Sequence, residues 1–78
     1  MPEAIFGGIP AWLLADYLVE LGGVRDGDGL VHGDGWRATL MAASADRLAI
    51  ARITVSIDGP RAAAVLEQLR VKARRGGG

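Results

Sequence analysis

The chain has 78 residues and a mass of 8.1 kDa, enough for one domain, in which roughly 60% of the extended-chain surface can be buried. Half of the residues are apolar but only 5% are aromatic, so a globular core has to be built from Leu, Ile, Val and Ala. The absence of cysteine excludes disulfides, thiolate zinc sites, iron–sulfur clusters and thiol nucleophiles together.

No apolar run approaches the roughly 18 residues of a membrane span, and no basic-then-apolar leader opens the chain. The expectation is a cytoplasmic protein with no membrane partner. Nine basic and nine acidic residues cancel, which argues against a dedicated nucleic-acid binder. The charges are not mixed evenly. Residues 1–34 hold Glu3, Asp16, Glu20, Asp26, Asp28 and Asp34 against Arg25, whereas residues 61–78 hold Arg61, Arg70, Lys72, Arg74 and Arg75 against Glu67. The basic end reads either as solvated surface or as a basic helix for a phosphate or acidic partner.

In chain order, Ala4-Ile5-Phe6 before Gly7-Gly8 predicts a brief first strand. Pro10 stands where a helix accepts proline as its first residue, and Leu13, Leu14, Tyr17, Leu18 and Leu21 recur at helical spacing. Gly22-Gly23 supplies the stop. Two Gly-Asp-Gly triplets bracket Leu30-Val31-His32, and Asp-Gly is a strong hairpin signal. Trp36 to Leu40 alternates with period two. The segment Leu48 to Ile57 predicts the longest strand, but its apolar parity flips, which calls for a bulge or twist near Ala51-Arg52 with Ile50 and Ile53 both buried. After Asp58-Gly59-Pro60, with Pro60 in the first turn, a final helix carries Ala62, Val65, Leu66, Leu69 and Ala73 as its apolar stripe. The prediction is an α+β two-layer sandwich, order β-α-β-β-β-β-α, with an antiparallel sheet and two helices on one face. A chain this small leaves the other face open, populated by Thr39, Met41, Arg52, Thr54 and Ser56.

Chemistry motifs are sparse. The Gly-Asp-Gly triplets lack the strand-turn-helix context of a dinucleotide loop. A calcium loop from Asp26 would place Leu30 and Arg37 at ligand positions. Asp26 and Asp28 read as turn residues rather than as an acid/base pair. His32 is the only histidine, and neither Ser44 nor Ser56 has a nucleophile-elbow context. No catalytic residue, metal or cofactor is assigned, and the chain reads as a non-enzyme. Trp12 points away from the main helical stripe, so it either folds under Phe6 or Ile9 or anchors a partner.

The stretch Ile5-Phe6-Gly7-Gly8-Ile9-Pro10-Ala11-Trp12-Leu13-Leu14, then Tyr17-Leu18 and Gly22-Gly23, resembles the carboxy-terminal domain of MoaD-related proteins. The likeness continues through Arg25 to Gly29, Thr54 to Ile57 and the closing Arg75-Gly76-Gly77-Gly78. In that family the domain follows a ubiquitin-like sulfur carrier of molybdopterin synthesis, and its fold is similar to that of TATA-binding protein. Fold similarity by itself does not confer DNA binding. This chain starts at its own Met1, so the resemblance implies action in trans, with 1–78 a single domain and 75–78 a flexible glycine tail.

Three function classes follow. The first is a non-catalytic accessory domain that binds a protein partner (a sulfur carrier, molybdopterin synthase or an adenylating enzyme) or a second copy of itself. Trp12, Arg37, Arg52, Arg74 and Arg75 are its candidate surface. The second is a stand-alone sulfur carrier, activated at Gly77-Gly78, whose slimness suits the narrow site of an adenylating enzyme. Against it, a helix precedes the hairpins here, whereas ubiquitin-like folds begin with a hairpin. The third, ranked last, is a nucleic-acid module using Trp36, Arg37 and Arg52 on the sheet.

Overall fold

The elements run β1 (Glu3–Gly7), α1 (Ala11–Glu20), β2 (Val24–Arg25), β3 (Leu30–Gly33), β4 (Trp36–Ala43), β5 (Arg52–Asp58) and α2 (Ala62–Gly76). The structure, a computed structural model, describes residues 2–27, 29–43 and 52–76. This is the expected α+β order. All strand pairs are antiparallel, in the spatial order β1-β5-β4-β3-β2. Strands β2 to β5 form a meander. Helix α1 joins β1 and β2, which lie at opposite edges of the sheet.

Residues directly opposite one another across a strand pair share a face. Phe6 faces Ile53, Leu40 faces Val55, Ala38 faces Ile57 and Val31 faces Ala38. All are buried, and with Trp36 they make the sheet's half of the core. The helices supply the other half. Leu14 and Leu18 of α1 are fully buried, with Leu13, Tyr17 and Leu21 packed at the margin. The whole predicted stripe of α2, Ala62, Val65, Leu66, Leu69 and Ala73, is buried. A single face of the sheet is therefore covered, by both helices.

The helix boundaries follow from local chemistry. Pro10 is the N-cap of α1 rather than its first residue: its ψ of 152° is extended, and its carbonyl accepts from the N–H groups of Leu13 and Leu14. At the other end Gly22 N–H bonds to Val19 O and Gly23 N–H to Leu18 O, with Gly22 at φ +103°. That is the paired bonding of a Schellman stop, and a left-handed residue is what it requires. Helix α2 starts later than Pro60 suggests. Pro60 and Arg61 form a turn, Ala62 N–H reaches Gly59 O, and Val65 N–H bonds to Arg61 O. At the carboxyl end the helix continues through Arg75 and Gly76, where the sequence reading begins the tail.

Asp34-Gly35 forms the two-residue turn between β3 and β4, as the second Gly-Asp-Gly triplet predicts. Trp36 follows at once and is 6% exposed. Its indole lies so close to Gly33 that a Cβ there would collide with Cε2, Nε1 and Cζ2 of the ring. A Cβ on Gly23 would stand 2.7 Å from the same ring and 2.6 Å from Val31 Cγ1. Gly59, at φ +116°, closes this corner: its Cβ would collide with the Gly35 carbonyl and lie 2.9 Å from Trp36 Cα. At the surface, Arg25 of β2 pairs with Asp16 of α1, and Lys72 of α2 with Glu20 of α1 at 2.7 Å. Both are solvated and contribute at most about 1 kcal/mol each.

Within the predicted long strand, Ile53, Val55 and Ile57 are buried on one parity. The expected irregularity near Ala51 and the burial of Ile50 lie outside the described residues, as do Asp28, Ser44, Gly77 and Gly78.

Two predictions follow from this packing. Gly59→Ala, which adds both a strained φ and a backbone clash, is expected to cost about 2–4 kcal/mol in urea unfolding. Gly7→Ala, with no atom within 4 Å of the new Cβ, should stay within about 1 kcal/mol of the parent. The two tryptophans should also separate by fluorescence. With Trp12 63% exposed, Trp36→Phe leaves a red-shifted emission that iodide quenches readily, whereas Trp12→Phe leaves a blue-shifted, shielded one. Equal quenching of the two variants would contradict this packing.

Candidate partner surface

The uncovered face of the sheet can be read row by row from the strand register. One row crosses Ile5, Thr54 and Met41; the next crosses Glu3, Ser56, Thr39 and Leu30. A third crosses Asp58, Arg37, His32 and Val24. Arg52 stands opposite Gly7 and Ala43 at the far end. Thr39, Met41, Arg52, Thr54 and Ser56 thus share the open face, as their parity in the sequence implies.

Its middle, on β5 and β4, is hydroxylic apart from Met41, while Ile5 and Val24 lie on the two edge strands and Leu30 on β3. Ile5 is 66% exposed, Met41 64%, Val24 60% and Leu30 37%. Isolated exposed apolar residues are ordinary. Here they share one side of one sheet with Thr39, Thr54 and Ser56 between them, bordered by Glu3, Arg37, Asp58 and Arg52.

The residues proposed from sequence do not converge on one patch. Arg37 and Arg52 are both exposed on the open face, but their rows are six residues apart along β5, about 20 Å. Arg74 and Arg75 lie in the last turn of α2, in the other layer. Trp12 stands on α1, beside a hollow of about 270 Å³ lined also by Ala15, Arg25, Gly27, Leu30 and Leu40. Its exposure rules out the reading in which it folds beneath Phe6 or Ile9. The tail residues Gly77 and Gly78 lie outside the described residues.

Trp36 needs the firmest correction. As a base-stacking platform it would have to stand on the open face. It points to the covered face instead, because Trp36, Ala38 and Leu40 share the parity that packs under the helices. The nucleic-acid reading therefore loses its aromatic.

His32 is exposed and stands opposite Arg37. Strand β4 separates it from Ser56, so these two do not form a nucleophile–base pair. Among the described residues no group of His, Asp and Glu is placed to hold a metal ion, and no helix is long and apolar enough to cross a membrane.

Two features were missed in the sequence. Ile5 belongs to the open face, and the signal was available: once Phe6 is assigned to the core, its neighbour must point the other way. The second is a groove of about 680 Å³ between β1 and α2, where Arg70 joins Arg74 above Ala4, Phe6 and Gly8. No local pattern marks it, since it is made by elements some 65 residues apart.

The family profile described as archaeal MoaD-like protein matches residues 3–78, from the first strand through the terminal glycines. No curated protein matches the chain significantly. With nearly its full length inside that profile, the chain belongs to the archaeal MoaD-like family, and this ties it to the sulfur-carrier side of molybdopterin biosynthesis.

Proposed function

We propose that the chain is a non-catalytic interaction domain of molybdopterin sulfur-carrier biosynthesis, which docks a protein partner on the open face of its sheet. The partner classes are a sulfur carrier, molybdopterin synthase or an adenylating enzyme. The observation that carries the reading is the exposure of Ile5, Met41, Val24 and Leu30 on one side of one sheet. Exposed apolar side chains spread among hydroxyl and charged groups, with methionine and arginine among them, have the mixed composition of a protein-binding surface. The wide, flat shape suits a protein better than a small molecule, which needs concavity.

The test is capture of the three partner classes by the purified chain, with Met41→Glu and Thr54→Lys as variants. These face each other on adjacent strands, so either puts a charge at the centre of the surface. Each should weaken binding about tenfold or more without changing the far-UV circular dichroism. Unchanged binding in both variants would refute the open face as the dock. Sedimentation over a range of concentrations covers the second-copy alternative: a dimer sensitive to the same substitutions would make this face a homodimer interface.

A second reading is sulfur carriage on the chain's own carboxylate. It is favoured by the reach of the family match through Gly78. In this reading the Gly78 carboxylate is activated as an acyl-adenylate and converted to a thiocarboxylate. Mass spectrometry of the protein from its native host should then show sulfur in place of one oxygen at Gly78, and removal of Gly77 and Gly78 should abolish function. An unmodified terminus with function intact after the deletion would leave the interaction domain alone.

A further inference from the structure

We infer that the free edge of β1, with Arg70 and Arg74 above it, is a docking site for an extended acidic segment of a partner protein, added to the sheet as a sixth strand. Three observations combine. First, among the described residues β1 pairs only with β5 and ends the sheet. Ile57 N–H bonds to Pro2 O at 3.0 Å, which fixes the phase of the ladder. Pro2, Ala4 and Phe6 direct their backbone groups to β5, so Glu3, Ile5 and Gly7 direct theirs to the free edge. Such an edge is a template for strand addition unless it is guarded. This one carries neither a lysine nor a proline within Glu3–Gly7.

Second, the edge opens into the groove of about 680 Å³ whose far wall is Arg70, Ala73 and Arg74. An added strand sends every other side chain into that space. Third, the wall is cationic and its charge is unspent. Arg70 and Arg74 are exposed, and neither belongs to the ion pairs among the described residues. Four residues along a helix advance about 6 Å, and alternate side chains of a strand lie about 6.7 Å apart. Acidic residues at alternate positions of the added strand therefore meet the two guanidinium groups in step.

Charge also selects among occupants. A second copy pairing antiparallel through β1 would bring both pairs of arginines to one seam, where like charges repel. An acidic strand turns the same arginines into its specificity. The inference names a surface for the interaction-domain reading, but one separate from the open face and from the tail.

The probe is a short fluorescein-labelled peptide, capped at both ends, with Glu at alternate positions and Val between them. Saturable binding is expected by anisotropy, weakened about tenfold or more by Arg70→Gln with Arg74→Gln, and by replacing the peptide's Glu with Gln. Ile5→Pro is the backbone test: it deletes an outward N–H without removing a bond to β5. It should abolish binding while circular dichroism stays unchanged. Amide exchange should slow at Ile5 and Gly7 on binding, with Ala4 and Phe6 unaffected. Equal binding of the Gln peptide, retention in the double arginine variant, or lack of new protection at Ile5 and Gly7 would overturn the proposal. So would a Glu-free peptide that binds through its own terminal carboxylate, or concentration-dependent self-association that protects the same amides. Met41→Glu should leave peptide binding intact, so failure here and failure of the open-face reading are told apart.

Discussion

The indole of Trp36 rests on Gly33 and Gly23, while its Cα lies against Gly59, and this one residue sets the relation of most other parts. It joins the β3–β4 hairpin to the end of α1, because Gly23 is the residue whose N–H completes the helix stop at Leu18. It also fixes the start of α2, since Gly59 fits against Gly35 and Trp36 only without a side chain. Arg61 N–H then bonds to Gly35 O at 3.0 Å. A chain with so few aromatics gains disproportionately from one large ring in this place, because indole burial removes more apolar area than any two of the alanines around it. Gly33 and Gly23 leave the space that the ring fills, and Gly59 the space that the turn backbone fills.

Once both helices are committed to that side of the sheet, no described element covers the opposite face. Small domains bury a limited share of their surface, and five strands spread over more area than two helices can cover twice. The sequence manages the exposed face by placing threonine, serine and charged residues among Ile5, Met41, Leu30 and Val24. The result is a surface whose apolar residues are separated by polar ones. The functional reading rests on this one-sided construction more than on any single residue.

The two edges of the sheet differ in the same way. On one side β2 has only Val24 and Arg25, and Arg25 is drawn to Asp16 on α1, so that edge is short and held. On the other side β1 offers Glu3 to Gly7 with no cover beyond the arginines of α2. The charge dipole seen along the chain thus acquires a spatial meaning. Its acidic half partly neutralises itself and Lys72 through Asp16 and Glu20. Its basic half is left with Arg70 and Arg74 beside the outer edge of β1.

The sequence by itself determined the element order, the two helical stripes, the Asp34-Gly35 turn and the open-face placing of Thr39, Met41, Arg52, Thr54 and Ser56. These are local matters, set by periods of 3.6 and 2 and by where glycine and proline are tolerated. It also determined the kinship, through punctuation such as Gly7-Gly8-Ile9-Pro10 and Gly22-Gly23. Only the tertiary structure decided that Trp36 is core and Trp12 is not, because period and hydropathy treat both as large apolar residues. The difference is whether a glycine-lined space exists across the fold to receive the ring. Only the tertiary structure, too, set Arg70 and Arg74 beside β1. The strand that opens the chain and the helix near its end become neighbours through the pairing of β1 with β5, a long-range contact that no local pattern in the sequence encodes.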